Sequence, residues 1–206
     1  MTKPVKLLLG TNNSGKIQEI SSFLEDLPIE LTTPAALNLD YQVNEGGTSY
    51  LENASTKAQS WCQKTGIATL ADDSGLEVDV LDGAPGLYSH RFTGNFHASD
   101  VERRRYLIKR LQDIPGPWHA HFICVMAMVI PGQKLITVTG RCFGQIIAEE
   151  RGSNGFGYDP IFLVEGTGKT MAELSLQEKN RLSHRARALQ AIRPKIIDLL
   201  QPEDKR

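Results

Sequence analysis

Two adjacent carboxylates, Asp72 and Asp73, interrupt a stretch over residues 69–81 that otherwise reads as buried strand. Charge is costly to remove from water unless it is paired or holds a cation, so Asp-Asp at a strand end points to a metal site or a general base. Successive strand side chains point to opposite faces, so one of the two faces a ligand and the other braces it. Ser74-Gly75 follows, adding a hydroxyl donor and a residue that lets the backbone approach a ligand. The same four residues also fit a turn capped by its own side chains.

A second candidate lies near the start of the chain. Gly10-Thr11-Asn12-Asn13-Ser14-Gly15-Lys16 follows the apolar run 5–9, and Ile17, Ile20, Phe23, Leu24 and Leu27 recur behind it at helical spacing. With Asn13 or Ser14 as N-cap, this loop delivers its amides to a helix N-terminus, where anions bind. Gly10-x-x-x-x-Gly15-Lys16 matches a phosphate-binding P-loop up to position 17, where Ile17 replaces the Ser or Thr that would hold Mg²⁺. Any metal must then be held by carboxylates elsewhere. A plain strand-to-helix turn is the other reading.

Three further groups complete the set. Asn53 and Lys57 lie one turn apart on a predicted helix and reach either a common ligand or solvent. Residues 152–160 form a second glycine-rich loop, whose Phe156 and Tyr158 could present a ring to a planar base while backbone groups bond its edge. Lys179 sits just inside a helix opened by the capping box Ser175-x-x-Glu178, and Ser183-His184-Arg185 begins the last helix, placed for anions or carbonyl oxygens.

The elements that must position these groups follow from periodicity and turn residues. Strands are expected at 5–9, 29–33, 69–81, 119–130, 134–141 and 142–147, with a hairpin through Pro131-Gly132. Helices are expected after the first loop, from Thr48 or Ser49 to about Lys64, from the Ser99-x-x-Glu102 capping box to about Gln112, and after Ser175 and Ser183, the last kinked at Pro194. Arg103-Arg104-Arg105 reads as an exposed face or a partner surface. Helices on either side of a block of strands imply an α/β fold, a mixed sheet flanked by helices, in a single domain over residues 1–206 with two lobes and a central cleft for ligands.

Composition sets outer limits. Lys+Arg 23 against Asp+Glu 24 gives a net charge of -1, so no field holds nucleic acid or a membrane surface. Cys62, Cys124 and Cys142 are too few and too widely spaced for a disulfide framework or a structural zinc, which suits a reducing compartment. The sequence shows no signal-peptide apolar region and no run of membrane-spanning length, so a soluble cytoplasmic protein is expected.

Together the motifs resemble the inosine triphosphate pyrophosphatase family, the HAM1-like house-cleaning nucleotidases. The resemblance runs through Thr11-Asn12-Asn13-Ser14-Gly15-Lys16, Glu45-x-Gly47, Glu52-Asn53-Ala54, Lys57-Ala58, Ala71-Asp72-Asp73-Ser74-Gly75-Leu76, Gly83-Ala84-Pro85-Gly86, Gly155-Phe156-Gly157-Tyr158-Asp159-Pro160, Lys179 and Ser183-His184-Arg185, nearly the whole chain. Asn12 stands where many relatives have Gly, and Ala186 where Gly is frequent. The resemblance implies an ITPase-like fold of the anticodon-binding and Maf-like kind. It further implies Mg²⁺-dependent hydrolysis of non-standard purine nucleoside triphosphates (ITP, dITP, XTP) to the monophosphate and pyrophosphate, in a homodimer.

By the same resemblance Asp73 is the catalytic base and a metal ligand, Glu45 its metal partner, and Asp72 a support. Thr11, Asn12, Asn13, Ser14, Gly15, Lys16, Ser74 and Lys57 are the phosphate-side contacts. Phe156, Gly157, Tyr158, Asp159, Lys179, His184 and Arg185 are the base-side and sugar-side contacts. Two rivals belong to other classes. A P-loop kinase or NTPase would use residues 10–16 but lacks the hydroxyl at position 17, and a non-catalytic nucleotide-binding module would have no use for Asp72, Asp73 and Glu45 together.

Overall fold

The computed structural model describes residues 5–40, 43 and 46–200. The described chain divides into two compact units, the first comprising residues up to Asp73, 124–140 and those from Arg185 onward, the second 74–123 and 141–184.

In the first unit, β1 (Val5–Leu9) pairs in parallel with β2 (Ile29–Thr32) and with β3 (Thr69–Val78). Leu7, Leu8 and Leu9 are buried on both faces, as a parallel strand requires. The chain returns from β1 to β2 through α1 (Ser14–Phe23) and from β2 to β3 through α2 (Tyr50–Thr65), which Ser49 caps and Gly66 ends. Ile20 and Leu24 join Leu7, Leu9, Leu70, Met126, Leu189 and Ile192 in one apolar core, the last two carried by α5 (His184–Asp198).

The second unit has its own core, in which Leu107 and Leu111 of α3 (Asp100–Leu111) pack with Leu76, Phe122, Ile161, Phe162 and Met171. Ser99 and Glu102 form a complete capping box at the start of α3, and Ser175 and Glu178 another before α4 (Leu176–Leu182). Strands β4 (Trp118–Val129), β5 (Ile136–Ile146) and β6 (Phe162–Val164) complete a six-stranded mixed sheet of order β2-β1-β3-β4-β5-β6, with β5 and β6 antiparallel.

Three expectations need correcting. The two strands expected at 134–141 and 142–147 are one, β5 (Ile136–Ile146), because the alternation of exposed Thr137, Thr139, Arg141 and Phe143 with less exposed neighbours runs unbroken through Arg141-Cys142. β3 ends at Val78, and Asp79–Leu81 turns into a short 3₁₀ helix. Arg103 and Arg104 are buried, not an exposed face: Arg103 bonds Asp100 and the carbonyls of His90 and Ala98, and Arg104 bonds Glu150 and the carbonyl of Gly157. Their planar forks satisfy several acceptors at once, which is how a guanidinium is buried without an orphaned charge.

Candidate active site

In the first unit, β1 delivers the chain into a loop that folds on its own side chains before α1. The Asn13 N–H donates to Thr11 Oγ1 at 3.1 Å, and Asn13 Oδ1 accepts the Lys16 N–H at 3.0 Å as the N-cap of α1. Asn13 is therefore the cap rather than Ser14. The first turn of α1 directs Lys16 to Asp72, with Nζ 2.9 Å from Oδ2.

Strand alternation separates the two carboxylates. Asp72 lies on the inward side, its side chain only 1% exposed, while that of Asp73 is 14% exposed. Asp72 Oδ2 also lies 3.3 Å from Arg185 Nη2 and accepts the Cys124 thiol at 3.7 Å. Arg185 in turn pairs with Glu19 of α1. Burial alone would push the Asp72 carboxyl upward, but Lys16, Arg185 and Lys57 outweigh it and hold the group well below the usual carboxylate range. Asp72 is thus a fixed anion. Its Oδ1 is buried with no hydrogen-bond partner among the described residues.

Asp73 behaves differently because fewer cations face it. Asn53 Nδ2 donates to its Oδ2 at 3.0 Å, and Lys57 Nζ stands 3.6 Å from Oδ1. Asn53 and Lys57 lie one turn apart on the buried face of α2, so the pair is not a solvated helix face. Asn53 Oδ1 also accepts the Gly47 N–H at 3.0 Å, which fixes the amide orientation and makes Nδ2 the donor to Asp73. Burial raises the Asp73 carboxyl above its ordinary value, with Asp72 adding to the rise and Lys57, Asn53 and Lys16 offsetting part of it. A partly exposed carboxylate of raised basicity, steadied by an amide and a lysine, is suited to taking a proton from water.

Glu45 lies outside the described residues, two positions before the Gly47 that Asn53 holds. Among the described residues no three acidic, histidine or cysteine side chains converge as a metal cluster. The oxygens of Asp73 and the partnerless Oδ1 of Asp72 are hard donors of the kind Mg²⁺ takes, so the donor chemistry fits that ion.

In the second unit, the loop 152–160 is tied internally. Asp159 Oδ2 accepts the Phe156 N–H at 3.0 Å and pairs with Lys179 Nζ at 2.7 Å, and that ammonium stands 5.2 Å from the centre of the Phe156 ring. Gly155 has φ +77°, and a Cβ there would come within 2.1 Å of Asp159 Oδ2, so only glycine allows this closure. The Tyr158 hydroxyl donates to the Ser89 carbonyl at 2.9 Å. His184 is buried and stacks on Phe122, ring centres 4.8 Å apart and 14° from parallel. Ser74 continues β3, half-buried.

Arg185, in the first unit, is almost fully buried. Its guanidinium pairs with Glu19 and Asp72 and so braces the buried carboxylate. Burial works to lower the Arg185 pKa, and the two carboxylates more than reverse it, so the charge is permanent. Glu19, Cys124, Asp100 and Phe122 were not singled out from the sequence. Only Glu19 carried a signal, three residues after Lys16 and so on the same helix face.

The Ham1 family model matches residues 7–195. A dITP/XTP pyrophosphatase of Geobacter sulfurreducens is 44% identical over 185 residues, covering 89% of this chain and 92% of that protein. One of Bacillus licheniformis is 41% identical over 188 residues, covering 91% and 95%. Among solved structures, a HAM1 protein from Coxiella burnetii superposes with a TM-score of 0.84 at 36% identity, covering 94% of this chain and 99% of that one.

Proposed function

The chain belongs to the Ham1 family, and on that premise we propose that it hydrolyses non-standard purine nucleoside triphosphates, dITP, ITP and XTP, to the nucleoside monophosphate and pyrophosphate. The observation that carries the chemistry is the contrast within the carboxylate pair: Asp72 locked as an anion among Lys16 and Arg185, Asp73 more basic and more exposed beside Lys57 and Asn53.

Asp73 is the base that takes a proton from the water attacking the α-phosphorus, and no covalent intermediate is needed. Asn53 and Lys57 hold its two oxygens, so the acceptor lone pair keeps one direction during the transfer. Lys16, Lys57 and the amides of Asn12, Ser14 and Gly15 meet the polyphosphate charge. Asp73 with Glu45 would hold Mg²⁺, which when bound supplies charge neutralisation of the triphosphate and helps pyrophosphate leave. The P-loop kinase reading is weaker, because residue 17 offers no hydroxyl to hold Mg²⁺.

Residues 156–159, Lys179 and His184 receive the base and sugar. A donor there is satisfied by the 6-keto oxygen of hypoxanthine or xanthine and left unpaired against the 6-amino group of adenine, a mismatch of about 1–3 kcal/mol. Guanine shares the 6-keto oxygen, so its rejection rests on the 2-amino group. The reading includes a homodimer acting in the cytoplasm, with no nucleic-acid or membrane partner. A mass measurement by light scattering tests the dimer. Among the described residues no helix is long and apolar enough to cross a membrane.

The test is kcat/KM for dITP, XTP, ATP and GTP, with phosphorus NMR of the products. The reading expects strong preference for the first two and pyrophosphate as product. Comparable GTP hydrolysis, or orthophosphate release, would overturn it.

A further inference from the structure

The glycine-rich loop of the second unit is held from outside as well as from within. The N–H of Gly157 donates to Asp100 Oδ2 at 2.7 Å, and the carbonyl of Gly157 accepts from Arg104 Nη1 at 2.8 Å. Both side chains come from the first two turns of α3, one turn apart. Neither is free to swing. Arg103 bonds the second Asp100 oxygen, and the other amino group of Arg104 bonds Glu150 Oε2 at 2.8 Å. Both bonds to Gly157 have one charged partner, the stronger class of hydrogen bond. Asp159 and Lys179 close the loop on itself, whereas Asp100 and Arg104 fix where Phe156 and Tyr158 stand relative to a helix anchored in the core by Leu107 and Leu111.

We propose that Asp100 and Arg104 are positioning residues that set purine selectivity, by clamping Gly157 on both its N–H and its carbonyl so that the 156–159 loop cannot yield to a wrong base. This rests on the reading that the loop meets the purine. The consequence is specific to the 2-position. Xanthine carries an acceptor there, hypoxanthine only hydrogen, and guanine a donor that, once out of water, needs an acceptor. A loop free to shift by a fraction of an ångström can turn a backbone carbonyl toward that donor, while the phosphate chemistry, carried by other residues, is unchanged in kind.

The experiment compares kcat/KM for dITP and dGTP in the wild-type chain, Arg104→Gln, Arg104→Lys and Asp100→Ala. The ratio of dITP to dGTP is expected to fall by about tenfold in Arg104→Gln and Asp100→Ala, the loss of one hydrogen-bonded discrimination. Arg104→Lys, which keeps the charge but cannot fork to Gly157 and Glu150 together, is expected to lie between. A purely structural role would lower both substrates by one factor and leave the ratio in place. If burial makes Arg104→Gln fail to fold, the more exposed Asp100→Ala decides alone. A ratio changed by less than about threefold in Asp100→Ala overturns the proposal. A wild-type enzyme that leaves dITP intact overturns the function reading itself, and is recognised before any variant is measured.

Discussion

Replacing Glu19 by Gln removes one of the two carboxylates that balance a guanidinium 1% exposed to solvent. Losing one partner of a buried ion pair costs about 3–5 kcal/mol, because the remaining charge stays out of water. Arg185 keeps Asp72 at 3.3 Å, so the lower end of that range applies. For a chain of 206 residues about 3 kcal/mol corresponds to a fall in Tm of roughly 6–12 °C. Arg185→Met leaves two buried carboxylates, Glu19 and Asp72, short of a cation, and its fall is expected to be larger. The double variant is expected to lose less than the sum of the singles by about 1 kcal/mol or more, since the two residues share one interaction. Differential scanning calorimetry at neutral pH on the four proteins gives all the terms. A Tm change under about 2 °C for Glu19→Gln would refute the idea that this pair braces Asp72.

Asp73→Asn is expected to lower kcat by roughly 10²–10⁴-fold with the fold retained, as circular dichroism and steady-state kinetics on the same preparation will show. Its Tm at neutral pH is expected to be no lower than wild type: the raised folded pKa means that the ionised carboxylate is less comfortable folded than unfolded, a penalty present above the folded pKa that Asn removes. With Asp73 as the proposed base, the acid limb of the kcat/KM pH profile is expected above the ordinary aspartate range, because a base acts deprotonated and burial raises this carboxyl's pKa. In Lys57→Met that limb is expected to move to higher pH still, since Lys57 is an influence lowering the pKa. A limb unmoved in this variant would detach it from Asp73. Glu45→Gln is expected to raise the Mg²⁺ concentration needed for half-maximal activity. An unchanged titration curve would move the metal away from Glu45.

Much of both units was legible because short-range chemistry decides it. The Asn13 cap, the Ser49 cap, the Gly66 stop and both capping boxes at Ser99 and Ser175 are local hydrogen-bond arrangements that a few residues specify. The alternation at Asp72-Asp73 was equally readable, and it separates a buried anion from a more exposed carboxylate. What escaped depended on distant partners. Arg185 lies 113 residues from Asp72 and 166 from Glu19, so nothing local reveals the two carboxylates it pairs with. Arg103 and Arg104 read as surface because a run of three cations is usually solvated, and their acceptors are brought up only by tertiary folding. β6 is three residues long and sits beside a glycine-rich loop, too short for any period to register.

In the proposed hydrolysis, water attacks the α-phosphorus with Asp73 as its base. A turnover of dITP in water enriched in ¹⁸O, with mass spectrometry of both products, tests it most directly. One ¹⁸O is expected in the nucleoside monophosphate and none in pyrophosphate, with label incorporation nearly abolished in Asp73→Asn. Label in the pyrophosphate, or labelled orthophosphate, would place the attack at another phosphorus and contradict it.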